Sequence, residues 1–192
     1  MTIEKLKATD IVSSGLTCNT KAAEDAQATG VFHMVCRDKD GNLNWEATSK
    51  NLVVNVGLQY MAGSALTSVT QITSWYIGLY GAGASNTPAA GDTMSSHAGW
   101  TEVVPYSNAT RVAATFATAT TANPSVVTNS ASPASFTINA TSTVGGAFLT
   151  SGSAKSGTTG TLFSAADFGS PGDRSVVSGD SLAVTYTFSL AG

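Results

Sequence analysis

Charge is scarce in this 192-residue chain. Asp, Glu, Lys and Arg together make 11% of it, against roughly a quarter in an average globular domain. The net charge of −3 and a pI near 5.2 leave no clustered basic patch, so nucleic acid is not an expected partner. No stretch approaches the 18 or more consecutive apolar residues of a membrane-spanning helix, and no membrane partner is expected. The start, Met1-Thr2-Ile3-Glu4-Lys5-Leu6-Lys7, has no apolar run behind its charges, which does not fit a secretory leader. The sequons at Asn108 and Asn139 then read as chance. Two cysteines, Cys18 and Cys36, allow at most one disulfide. Both are expected reduced, with Cys36 packing as a small hydrophobe. Histidine is equally rare, and His33 and His97 do not stand at zinc-ligand spacing with either cysteine. No metal or cofactor is expected.

What fills the chain instead is small and hydroxylated. Ala (28), Gly (19), Ser (24) and Thr (27) supply about half of all residues. The mean hydropathy of +0.11 is too high for a disordered chain. Thirteen of the 21 charged residues fall within the first 50 positions. That break divides the chain into an extended N-terminal arm, residues 1–28, and a low-charge β domain, residues 29–192. Small side chains bury little apolar area each, so the domain gains from burying surface against copies of itself.

The β domain opens on a hairpin. Gly30 to Cys36 and Leu43 to Thr48 alternate as strands around Asp38-Lys39-Asp40-Gly41-Asn42, where Gly41 supplies the positive φ of a tight turn. The Asp-x-Asp-Gly in that turn lacks the further ligands of a calcium loop. Residues 55–66 suit a short helix with Asn55 as N-cap and Val56, Leu58, Tyr60, Met61, Ala65 and Leu66 on one apolar face. Ile72 to Tyr80 reads as a strong strand, residues 81–91 as a surface loop, and Asp92 as the cap of a short turn ending at Gly99. Beyond lie candidate strands at Trp100–Val104, Arg111–Ala119, Ser135–Asn139, Gly146–Thr150, Thr161–Ala165 and Ser181–Leu190. Short strands at this spacing predict a mainly β fold: an antiparallel β-sandwich or jelly roll with one or two short helices.

Chemistry is harder to find. A Ser–His–Asp set could be drawn through Asp92, Ser95, Ser96 and His97, but no nucleophile elbow accompanies it. His33 reads as a sheet histidine facing solvent or an interface. Carboxylate pairs would have to come from Asp92, Glu102, Asp167, Asp173 or Asp180, most of them beside glycine or in turns. Arg111 fits a hairpin partner for Glu102 better than a substrate anchor. Trp75, Tyr76, Tyr80 and Trp100 could form a sugar platform, though core packing accounts for them more simply. No catalytic, cofactor-binding or metal residue is assigned.

Several strings do resemble a known group. Phe32-His33-Met34-Val35-Cys36-Arg37-Asp38-Lys39-Asp40-Gly41, Trp45-Glu46, Asn51-Leu52-Val53, Trp75-Tyr76-Ile77-Gly78-Leu79, His97-Ala98-Gly99-Trp100-Thr101-Glu102 and Gly145-Gly146-Ala147-Phe148-Leu149 are similar to small structural proteins of tailed bacteriophages. The resemblance spans about residues 30–190. It implies a non-enzymatic virion protein, first a capsid decoration (cement) protein on the head. Its partners would be the major capsid protein and copies of itself as a homo-oligomer, and its location the virion. The alternatives are a tail, neck or fibre-base subunit, or a host-surface or glycan-binding module using the loop around residues 81–100. The arm would gain avidity by reaching over a neighbouring subunit.

Overall fold

The computed structural model describes residues 26–81, 87–168 and 172–192. Cys18 and nearly all of the expected arm lie outside the described residues. The two last arm positions inside them, Gln27 and Ala28, already belong to the first strand.

The fold is mainly β and antiparallel, two sheets packed face to face. The first sheet is built on the hairpin β1 (Gln27–Arg37) and β2 (Leu43–Lys50). Gly41 turns the chain at φ +85°. The Asp38 side chain accepts hydrogen bonds from the Asn42 side-chain amide and from the Asn42 and Asp40 backbone N–H groups, and these bonds hold its carboxyl below the usual carboxylate range. On its other side β1 pairs with the last strand, β12 (Ser181–Ala191), from Gln27 opposite Ala191 to Arg37 opposite Ser181. Period-2 patterning puts Phe32, Met34 and Cys36 of β1 inward beside Leu182, Val184 and Tyr186 of β12. Two short strands, β7 (Ser125–Thr128) and β8 (Ala134–Thr137), lie end to end along the far edge of β12.

The second sheet runs β3 (Leu52–Val53), β10 (Leu162–Asp167), β9 (Ser142–Thr150), β4 (Tyr76–Gly81) and β5 (Glu102–Val103). β6 (Val112–Ala113) continues the edge on β4, and β11 (Arg174–Val176) pairs with the start of β9. Inward residues such as Ile77, Leu79, Val144 and Leu149 meet the first sheet and make the main core. The outer face is also covered. Tyr80, Phe148, Leu162 and Ala165 form a second cluster with Val54, Met94 and Trp100 from the chain that crosses over them. Burial on both faces explains why β4, β9 and β10 read as unbroken runs rather than alternations.

The one α-helix among the described residues, α1 (Asn55–Leu66), falls where its sequence predicts. Its packing differs from that expectation. Val54 rather than Asn55 occupies the cap, without a side-chain hydrogen bond, and the Asn55 amide donates to the Ala90 carbonyl at 2.8 Å. The expected apolar stripe is not buried: Leu58 and Leu66 are exposed, and Tyr60 and Met61 are half-buried. The helix approaches β10 through Gly57, where a Cβ would collide with the Phe163 carbonyl.

Three expected strands are markedly shorter than their sequences suggest. Of Ile72–Tyr80, pairing begins at Tyr76; of Trp100–Val104, Glu102 and Val103 alone are strand; of Arg111–Ala119, Val112 and Ala113 alone are. The chain after Ala113 leaves β4 for the edge of β7, with Ala117 donating to Thr128 and Thr120 to Val126. β3, β7 and β11, two to four residues each, were too short to show a period. The segment after Asp92 forms turns, as its sequence suggested.

Candidate functional site

Five of the residues with chemical potential converge on the outer face of the second sheet. β5 carries Glu102, and the chain returning to β6 brings Arg111 against it. Arg111 Nε donates to Glu102 Oε1 at 2.9 Å and Nη2 to Oε2 at 2.8 Å, a two-pronged pair with side chains 1% and 6% exposed. This is the hairpin pairing that the sequence suggested. Removing both charges from water is costly unless the remaining donors find partners, and two of the remaining three do. Nη1 donates to the Gly152 carbonyl at 2.9 Å and Nη2 to that of Gly157 at 3.0 Å. The guanidinium also lies 5.2 Å from the Phe148 ring centre. Glu102 Oε2 accepts the Ser156 amide at 2.6 Å. Ser156 holds φ +56°, uncommon for a residue with a side chain. Its placement follows from the buried carboxylate that its N–H meets.

The neighbouring loop is pinned in a similar way. Asp92 Oδ2 accepts the Ala89 amide and the Trp100 indole N–H, both at 3.0 Å. His97 Nδ1 donates to the Trp100 carbonyl at 2.9 Å, and its ring stacks on the indole with centres 3.9 Å apart. Trp100 is 3% exposed and packs on Tyr80 and Phe148. Between the two loops remains a cavity of about 290 Å³, bordered by Met94, His97, Trp100, Glu102, Arg111 and Ser156.

Its geometry does not assemble an acid, a base and a nucleophile. Both Glu102 oxygens serve Arg111 and the 152–157 loop, and Asp92 serves its own turn. Ser95 meets Thr93 at 3.2 Å rather than His97. The other carboxylates lie elsewhere. Asp180 accepts the Val177 amide and the Cys36 thiol, closing the turn between β11 and β12 and joining it to β1. Burial, then the Asp180 charge, pushes the Cys36 thiol up to about 11, so Cys36 behaves as the packed thiol expected. Asp167 stands beside Tyr80; burial raises its carboxyl, and Asp173 adds to the rise. Among the described residues, no three of His, Cys, Asp and Glu converge as a metal cage. His33 faces solvent on β1 and meets Glu46 at 2.7 Å.

The four aromatics considered as a sugar platform do not form one. Tyr80 and Trp100 are buried, while Trp75 and Tyr76 are half-buried. Trp75 packs edge-on against Tyr60 and Phe163, ring centres 5.4 Å apart in each case. It borders a second, apolar cavity of about 200 Å³ with Phe116, Phe163 and Phe188.

Sequence reasoning missed Asn129. Fully buried, it donates to the Val184 carbonyl and accepts the Tyr186 amide at 2.7 Å, filling the gap between β7 and β8 along β12. A lone Asn among Ser and Thr carries no pattern that could have flagged it. Lys155 was missed too: it donates to the Tyr106 carbonyl at 2.6 Å with its ammonium 3.8 Å above that ring.

No family model, curated protein or solved structure matches this chain.

Proposed function

We propose that the chain is a non-enzymatic structural subunit of a tailed-phage virion, a capsid decoration (cement) protein that binds the shell and copies of itself. The observation that carries this reading is how the polar groups of the best-built site are used. Glu102, Arg111, Asp92 and His97 all bond within the chain, and what they do is fasten loops onto a sheet. A subunit whose task is shape needs such fastening. The resemblance of residues 30–190 to phage structural proteins points the same way.

The test uses shells assembled from the major capsid protein encoded with this chain. Purified protein added to bare shells should co-sediment and saturate at a fixed ratio to the capsid subunit. Failure to co-sediment, with binding to tails or to a glycan array instead, would replace the cement reading with one of its alternatives.

A further inference from the structure

β2 is the free edge of the first sheet; among the described residues no strand pairs with its far side. The Asn51 amide donates to the Gly30 carbonyl, which fixes the parity of the β1–β2 ladder. Residues 45, 47 and 49 bond toward β1, and Glu46, Thr48 and Lys50 turn their backbone N–H and C=O groups outward. Such an edge is a template for another strand unless it is blunted. This one carries a carboxylate and an ammonium four residues apart on one face of the strand.

We propose that β2 pairs antiparallel with β2 of a second copy, about a two-fold axis through Thr48, so that two first sheets become one continuous sheet. The argument is one of register. In a two-fold interface, residue i meets j wherever j meets i, so choosing the axis chooses every pair. An axis at Glu46 sets two carboxylates against each other, and an axis at Ala47 sets Glu46 against Thr48. The axis at Thr48 places Glu46 opposite Lys50 twice and Thr48 opposite itself. Opposite charges and Thr–Thr pairs directly across a ladder are both favourable, and like charges there are not.

A bulge on β2 puts Trp45 opposite Cys36 but Leu43 opposite Arg37, leaving Asn44 as the extra residue, so the regular ladder begins at Trp45. Past Lys50 the chain leaves this sheet, and Leu52 belongs to β3, paired with β10. The free edge is therefore Trp45 to Lys50, and its charges select the alignment. Glu46 remains available for it, with its side chain 54% exposed beside His33.

This inference deepens the self-assembly part of the proposed function and rests on it. The experiment is sedimentation velocity on the full chain at low salt, comparing wild type, Glu46→Lys, Lys50→Glu and the double reversal. Wild type should self-associate. Each single reversal turns two attractions into two repulsions and should weaken association about tenfold or more, while the double reversal should return it to within about threefold of wild type. Both side chains are exposed, so all four proteins should melt alike by circular dichroism. A wild type that stays monomeric at high micromolar concentration overturns the inference. So does association that neither single reversal alters, which leaves self-assembly standing on another surface. Weakening by both singles without recovery in the double overturns the register. Shell binding is read separately, so loss of the cement reading would not be confused with any of these results.

Discussion

Arg111 and Glu102 show how a chain with few charges uses them. Eight of its 21 charged residues follow Lys50, and two of those eight are spent on one buried pair. Its guanidinium donates to both carboxylate oxygens and to the carbonyls of Gly152 and Gly157, joining β5, β6 and the 152–157 loop. Removing one partner leaves the other charge buried and uncompensated. Glu102→Gln and Arg111→Ala should each cost about 3–5 kcal/mol in urea unfolding, and the double variant Glu102→Leu with Arg111→Met far less than the two combined. If Glu102→Gln unfolded at the wild-type midpoint, the pair would not be fastening these loops. The pairing was legible in the sequence, because Arg111 had few carboxylates within a hairpin's reach. The burial of the pair was not. It depends on the 151–160 loop folding over it, and nothing in Gly, Ser and Thr spacing announces where such a loop will lie.

At the scale of elements, the second sheet depends on what its glycines leave out. Tyr80 and Phe148 lie on its outer face where Gly78 and Gly146 supply no side chain. A Cβ on Gly146 would meet the Ala166 carbonyl and come within 2.6 Å of the Tyr80 ring; one on Gly78 would meet the Phe148 ring. Gly146→Ala should therefore destabilise the fold by about 1–3 kcal/mol through overpacking, whereas Gly91→Ala, with nothing within 4 Å of its Cβ, should stay within about 0.5 kcal/mol of wild type. Equal melting temperatures for the two variants would contradict the packing described here. The long strands were readable because period-2 alternation in β1 and β12 reports one buried face. Where both faces are buried, as in β4 and β9, composition still marks a strand but not its limits, so Ile72 to Trp75 looked paired. The helix was readable in position and misread in packing: apolar residues suggested a buried stripe, yet its closest approach to the sheet is made by Gly57.

On the scale of the whole molecule, the first and last described strands pair along their full length and close the sandwich. One sheet is covered on its outer face by the 87–101 chain; the other presents Val31, His33, Val35, Thr185 and Thr187 with Glu46 and Lys50 outward and ends in the free edge β2. That asymmetry suits a protein with one side for itself and one side for others. The fold class was accessible from strand spacing and turn residues. The polar groups of Glu102, Arg111, Asp92 and His97 bond within the chain, so their residue types and spacing point to loop fastening and leave the proposed function resting on resemblance. The most direct measurement is a cryo-EM reconstruction of the virion proposed to carry this chain, with the sandwich fitted into density. The account predicts copies seated on the outer face of the shell in a fixed ratio to the capsid lattice. Particles with complete shells and no density for the sandwich would contradict it.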